Sequence, residues 1–76
     1  MLRADGFNEA IIGTVERCGS ETVYCYDYNK CVDILMEQMS HDEAIEYMDY
    51  NVIGAYMGET TPFFLRPFTI DEMEEN

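Results

Sequence analysis

The fold of this chain is decided by the stretch Ser40-His41-Asp42-Glu43-Ala44-Ile45-Glu46-Tyr47-Met48. Ser40 and Glu43 have the spacing of a capping box, in which the serine hydroxyl and the glutamate carboxylate each accept a hydrogen bond from the other residue's backbone N–H. Asp42 and Glu43 also place negative charge at the positive end of the helix dipole. The stretch therefore predicts a helix that begins at about residue 41, and the other elements can be placed around it.

The apolar residues that follow the capping box recur at helical spacing, within about a third of the helix circumference. They are Ala44, Ile45, Met48, Val52, Ala55 and Tyr56. Gly54 and Gly58 are both candidates for the end of this helix, and Pro62 follows soon after them. Because the apolar periodicity continues to Tyr56, we expect the helix to end at Gly58.

A preceding helix is predicted from Tyr28 to about Met39, directly before the capping box. Asp27 is a suitable N-cap for it. Its apolar positions recur at helical spacing and form one stripe. These positions are Tyr28, Cys31, Val32, Leu35 and Met39.

The remaining elements are predicted to be short strands. Residues 10–17 and 22–26 are rich in β-branched and aromatic residues, and the Gly-containing loop between them predicts a hairpin. A third strand is predicted at Phe63-Phe64-Leu65, and it should lie at a sheet edge because the flanking prolines cannot donate to a ladder. We expect an irregular lead-in at residues 1–9 and a frayed acidic tail at residues 69–76.

The predicted order is therefore β-β-α-α-β within one small domain that spans residues 1–76. Such an order is typical of an α+β fold, in which two helices cover one face of a small antiparallel or mixed sheet.

The composition is strongly acidic, with sixteen Asp and Glu residues against four Lys and Arg residues and a net charge of −12. Nucleic-acid binding requires basic residues that displace counterions, so direct binding to DNA or RNA is not expected. Binding to anionic membranes is not expected for the same reason. The charge favours solubility and attraction to basic protein partners.

The sequence also indicates a cytoplasmic location. Met1-Leu2-Arg3-Ala4-Asp5 begins no apolar run of signal-peptide length, and no segment is long enough to cross a bilayer. Three cysteines, an odd number, favour a reducing compartment.

One stretch carries a resemblance to a known group of proteins: Asn51-Val52-Ile53-Gly54-Ala55-Tyr56-Met57-Gly58. With residues 26–37 and 39–47, it is similar to sequences of small uncharacterised proteins encoded by bacteriophages. The similarity covers roughly residues 7–65, and residues 43–62 are its most specific part. The resemblance implies a viral origin and a location in the host cytoplasm, and it implies no site residues.

The candidate metal ligands are poorly spaced for a metal site. Cys18, Cys25, Cys31 and His41 lack the close cysteine pairs of structural zinc sites, so we expect the cysteines to be structural. The stretch that begins at Asp27 lacks the glycine and the final glutamate of an EF-hand. No nucleophile motif or phosphate-binding glycine loop is present, and we expect no cofactor and no catalytic residue.

Surplus apolar side chains predict an interface. One set lies away from the main stripe of the second helix, and another lies on the strand face opposite Val15, Val23 and Cys25. The candidate interface residues are Ile12, Tyr24, Tyr26, Tyr50, Ile53, Met57 and Phe64. Grouped Tyr and Met side chains are typical of interfaces, so we expect a homodimer. The alternative is that these side chains fold under the N-terminal lead-in or the tail.

The carboxylates on the two helices suggest a second hypothesis. A rigid surface of Asp and Glu residues can imitate a phosphate backbone and occupy a nucleic-acid-binding protein. The candidates are Asp33, Glu37, Asp42, Glu43, Glu46 and Asp49. A solvated helix face is the simpler interpretation of the same residues.

The sequence thus favours a small non-enzymatic accessory protein that acts by protein–protein interaction. An acidic inhibitor of a host nucleic-acid-binding protein is the first alternative. A small enzyme or metal site at a dimer cleft is the second alternative.

Overall fold

A computed structural model describes residues 1–55 and 58–67 of the chain, and within them the predicted α+β order is present. A 3₁₀ turn at Asn8–Ala10 leads into strand β1 at Ile11–Val15, which pairs with strand β2 at Val23–Asp27. Helix α1 spans Tyr28–Leu35 and helix α2 spans His41–Tyr47. A π-helical segment at Met48–Ile53 continues α2, and strand β3 covers Phe63–Leu65.

The three strands form a mixed sheet in the order β1-β2-β3. β1 and β2 are antiparallel, as the predicted hairpin requires, and Val15 pairs with Val23 near its loop. β3 runs parallel to β2, with Tyr26 opposite Phe64. Parallel neighbours need a long crossover connection, which the two helices supply here.

Both helix starts are capped as the sequence predicts. The Glu43 N–H donates to the Ser40 hydroxyl and the Ser40 N–H donates to the Glu43 carboxylate, each at 3.2 Å. At α1, the Asp27 carboxylate accepts a hydrogen bond from the Lys30 N–H at 3.3 Å. These caps satisfy backbone donors that the first turn of a helix leaves unpaired.

The helix ends differ from the prediction. α1 ends at Leu35 rather than near Met39, because the following N–H groups of Glu37 and Gln38 donate to carbonyls three residues back and tighten the chain into a turn.

The second helix ends at Gly54 rather than at Gly58. The Gly54 N–H donates to the Asp49 carbonyl at 3.1 Å, and a Cβ at position 54 would lie 3.0 Å from the carbonyl oxygens of Asp49 and Tyr50. The spacing of apolar residues in the sequence does not reveal that the backbone winds as a π-helix over Met48–Ile53. The predicted continuation through Tyr56 lies partly outside the described residues.

The core lies between the helices and one face of the sheet. Its buried members come from the 3₁₀ turn, β2, both helices and the π-helical segment: Phe7, Ala10, Tyr26, Tyr28, Cys31, Val32, Ala44 and Met48. Tyr24, Phe64 and Ile11 pack against this cluster from the same sheet face.

The lead-in at residues 1–9 contacts the core, although only its last two residues belong to a regular element. Phe7 is buried in the core, and the Ala4 N–H donates to the Tyr26 hydroxyl at 2.8 Å. Ala4 and Phe7 therefore attach the lead-in to the rest of the domain. The predicted frayed tail at residues 69–76 lies outside the described residues.

Candidate interaction surface

The sheet has two apolar faces, and the helices cover only one of them. Strand pairing places Tyr26 and Phe64 on the covered face, whereas Cys25 and Phe63 lie on the opposite face. We call this opposite face the outer sheet face. Its side chains are Val15, Val23, Cys25, Phe63 and Leu65.

On the outer sheet face, the side chains of β2 are buried and the side chains of β3 are exposed. Val23 and Cys25 are buried, whereas Phe63 is 60% exposed and Leu65 is 47% exposed. Two large hydrophobic side chains therefore lie exposed on the same side of an edge strand. Ile12, which sits at an irregularity in the pairing of β1, is also exposed, at 54%.

The predicted interface residues divide into three groups. Ile12, Tyr50 and Ile53 are exposed, in accord with an available surface. Tyr26 is fully buried and is wrong as an interface residue, while Tyr24 and Phe64 are half-buried against the core. Met57 lies outside the described residues. For Tyr26, the alternative of burial under the N-terminal lead-in is the observed arrangement.

The sheet face that carries Tyr26 and Phe64 packs against the helices, because its large aromatic side chains fill the core better than the smaller β2 side chains of the opposite face. The Tyr26 ring stacks on Phe64 with a centroid separation of 5.3 Å, and its hydroxyl accepts the Ala4 N–H. A buried tyrosine needs such a partner, and large rings bury more apolar area than the smaller Val23 and Cys25 side chains. The helices therefore cover the sheet face that was predicted to form the interface.

Phe63 and Leu65 are the surface residues that sequence reasoning missed. Strand alternation places both of them on the face opposite Phe64. Because both faces of β2 are apolar, the alternation could not tell which face the helices cover. The size of the aromatic side chains was the signal that could have decided it.

A cavity of about 480 Å³ opens at one end of the outer sheet face. Two turns border it: the Ser20 N–H donates to the Arg17 carbonyl at 2.9 Å, and the Thr61 N–H donates to the Gly58 carbonyl at 3.2 Å. Both turns contain a glycine with positive φ, at 82° for Gly19 and 99° for Gly58, which residues with a Cβ rarely adopt.

The six carboxylates of the candidate acidic surface are all exposed, and they lie on α1, in the turn after it, on α2 and in the π-helical segment: Asp33, Glu37, Asp42, Glu43, Glu46 and Asp49. Several of them nevertheless have local roles. Asp49 pairs with Arg66 at 3.4 Å, Asp42 lies 3.9 Å from the His41 ring, and Glu43 caps α2. Hydrogen bonds from the Ser40 backbone and then its hydroxyl lower the pKa of Glu43.

The cysteines occupy two kinds of environment. Cys25 and Cys31 are buried and Cys18 is exposed. Burial, followed by the nearby charge of Asp27, raises the pKa of the Cys31 thiol from 9.0 to about 11. Within the part of the chain that the structure describes, His, Cys, Asp and Glu side chains form no group of three that could hold a metal ion.

Comparisons with known protein families, with curated proteins and with solved structures found no match to this chain. In residues 1–55 and 58–67, no helix has the length and apolar character that a bilayer crossing requires.

Proposed function

We propose that this chain is a small non-enzymatic accessory protein that acts as a protein–protein interaction module. Its docking surface is the exposed part of the outer sheet face, at Phe63 and Leu65. The exposure of these two neighbouring hydrophobic side chains, on the face away from the core, is the observation that carries the proposal. Grouped exposed hydrophobic residues are typical of protein interaction sites.

The geometry of β3 favours contact through its face rather than through its edge. Pro62 and Pro67 lie on either side of the strand and lack an N–H, so a partner strand could form only a short ladder here. Phe63 and Leu65 project to one side of the strand, where a partner can cover both.

The charge of the chain indicates the kind of partner. At a net charge of −12, the protein attracts basic proteins and repels acidic ones. The resemblance to bacteriophage proteins favours a role in the cytoplasm of an infected bacterial cell.

A homodimer formed through the same surface is the second part of the proposal, and it would compete with the partner because both would cover Phe63 and Leu65. Two copies that meet through the outer sheet face keep their helices, with Asp33 and Glu46, on the far sides of the dimer. This arrangement separates the like charges that would oppose a dimer formed through the helices. Light scattering over a range of concentrations should report an 8.8 kDa monomer in equilibrium with a dimer.

The test of the docking surface compares two matched double variants of the full chain. Phe63→Ser/Leu65→Ser removes the proposed surface, and Tyr50→Ser/Ile53→Ser removes exposed hydrophobic residues from the π-helical segment instead. Each protein is immobilised and exposed to a bacterial lysate, and captured proteins are purified and tested again one at a time. Thermal unfolding of each variant confirms that it is folded.

A partner that rebinds as a purified protein to the wild type and to the Tyr50/Ile53 variant, but not to the Phe63/Leu65 variant, supports the proposal. Equal rebinding to all three proteins overturns the assignment of the surface, and so does loss of binding only in the Tyr50/Ile53 variant.

The acidic helical surface supports a second candidate function, the inhibition of a host nucleic-acid-binding protein. Of its six carboxylates, Asp49 alone pairs with an arginine or lysine among the described residues. Binding through this surface should weaken steeply between low and physiological salt, because exposed ionic contacts are screened. Binding that survives physiological salt and depends on Phe63 would contradict it.

A further inference from the structure

We infer that the cavity at the end of the outer sheet face binds a lysine or arginine side chain from a basic, amphipathic segment of the partner protein. This inference rests on the proposed function and specifies the chemistry of the partner. The cavity and the exposed hydrophobic pair share Phe63, so one bound segment can contact both.

The walls of the cavity are apolar. Val15 and Val23, which pair across the β1–β2 ladder, line it together with Pro62 and Phe63. A volume of about 480 Å³ lies within the range of protein ligand sites, and it exceeds what a single side chain fills. The walls therefore suit aliphatic groups from more than one residue of an extended segment.

The rim of the cavity is acidic. Glu16, Glu21 and Glu59 line it and are exposed, against the single positive charge of Arg17. The Arg17 guanidinium lies 3.5 Å from the Ser20 hydroxyl within its own turn. The excess of carboxylates disfavours phosphate and carboxylate ligands and favours a cation at the mouth.

Lysine and arginine fit both parts of this site at once. Their aliphatic stems can lie along apolar walls while the charged head stays at a hydrated rim. An arginine head can in addition bind a carboxylate through two parallel hydrogen bonds. A purely apolar ligand would form no ion pair with the carboxylates of the rim. A ligand with only charged groups would form no apolar contact with the walls.

A second copy of this chain is a poor source of the required cation. Of its four basic residues, Arg3 lies over the Tyr24 ring and Arg66 lies over the Tyr28 ring. Arg17 belongs to the cavity rim itself, which leaves Lys30 on α1. Because each copy also carries a net charge of −12, two copies repel each other, and a different, basic protein is the source of the cation that fits the acidic rim.

The inference can be tested with three blocked pentapeptides as probes. They are acetyl-Leu-Arg-Leu-Arg-Leu-amide, acetyl-Leu-Glu-Leu-Glu-Leu-amide and acetyl-Gly-Arg-Gly-Arg-Gly-amide, titrated to millimolar concentration into the full chain at physiological salt. Backbone amide signals are followed by NMR. We expect only the Leu/Arg peptide to give saturable shifts, centred on Val23, Thr61 and Phe63, which line the cavity.

Two charge-matched double variants separate the rim from general acidity. Glu21→Gln/Glu59→Gln should raise the Kd of the Leu/Arg peptide roughly fivefold, as expected for the loss of two partly exposed ion pairs. Asp33→Asn/Glu46→Gln removes the same charge from the helices, and it should change the Kd by less than about twofold because salt screens distant charges.

Several outcomes would overturn the inference: no saturable binding of the Leu/Arg peptide, equal binding of the Leu/Glu peptide, shifts centred on the helices, or equal weakening in the two double variants. Failure here is distinguishable from failure of the proposed function. If Phe63→Ser/Leu65→Ser still abolishes partner binding while the peptide test fails, the docking surface stands and only the cation site is lost.

Discussion

The guanidinium carbon of Arg66 lies 4.0 Å from the centroid of the Tyr28 ring, so the residue after β3 stacks on the first residue of α1. The same guanidinium pairs with Asp49 in the π-helical segment at 3.4 Å. One side chain thus connects the segment after β3 to both parts of the helical layer.

Replacing Arg66 with methionine should therefore destabilise the protein. Arg66→Met keeps an apolar stem but removes the cation from the Tyr28 ring, and we expect a loss of about 0.5–1 kcal/mol in the free energy of unfolding by urea. Arg3→Met is the matched control, because the Arg3 guanidinium lies farther from its ring, at 5.9 Å from the Tyr24 centroid. Equal losses in the two variants would contradict the prediction.

Replacing Tyr26 with phenylalanine tests the link between the lead-in and the sheet. Tyr26→Phe keeps the ring against Phe64 but removes the acceptor of the Ala4 N–H, which lies 2.8 Å away. We expect a loss of about 1 kcal/mol in the free energy of unfolding. Tyr50→Phe, at a side chain that is 81% exposed, should have almost no effect. An unchanged stability in Tyr26→Phe would mean that the lead-in hydrogen bond contributes nothing.

The three thiols should differ in reactivity towards a disulfide reagent at neutral pH. Cys18 is exposed and should react in the folded protein, whereas Cys25 and Cys31 are buried and should react only after unfolding. Counting the released chromophore with and without denaturant measures the difference. Rapid reaction of the Cys18→Ser variant in its folded state would contradict this assignment.

The Cys31 thiol should make stability fall in alkaline solution. In the unfolded chain the thiol loses its proton near pH 9.0, whereas in the folded protein its pKa is about 11. Between these values the unfolded state binds fewer protons, so the contribution is fully present below pH 9.0 and is lost as the pH rises through the folded pKa. Cys31→Ala should have a shallower pH dependence of unfolding free energy than the wild type in this range, and parallel curves would refute the prediction.

The Glu43 carboxylate should make the stability of the protein fall in acidic solution. Its pKa in the folded protein lies below the ordinary value of 4.5, because it accepts hydrogen bonds from Ser40. Its stabilising contribution is therefore present above pH 4.5 and is lost as the pH falls through the folded pKa. Glu43→Gln should flatten this part of the stability curve. An equally steep acid limb in Glu43→Gln and in the wild type would contradict the prediction.

The order of elements could be predicted because each start has a local chemical signal. Ser40, Glu43 and Asp27 are side chains whose hydrogen bonds reach only three residues, and short-range geometry determines them. The end of the second helix was not predictable in the same way. The π-helical winding between Met48 and Ile53 depends on backbone hydrogen bonds that leave no periodic signature in the sequence.

The docking surface was only partly predictable for a different reason. Strand alternation separates Phe63 from Phe64 but does not state which of two apolar faces the helices cover. That choice depends on contacts between distant parts of the chain, such as the hydrogen bond from Ala4 to Tyr26. Ile12, Tyr50 and Ile53 were correctly expected to be exposed, and their role in an interface stays a prediction.

The parallel pairing of β3 with β2 also constrains when this protein can fold. β1 reaches β2 through one short loop, but Phe64 meets Tyr26 only after both helices have been synthesised. Until residue 65 leaves the ribosome, the central strand keeps one unpaired edge, and Phe64 cannot stack on the Tyr26 ring. Contacts so distant in sequence close slowly. The nascent chain should therefore acquire its native packing only after the β3 segment has been synthesised and has docked on β2.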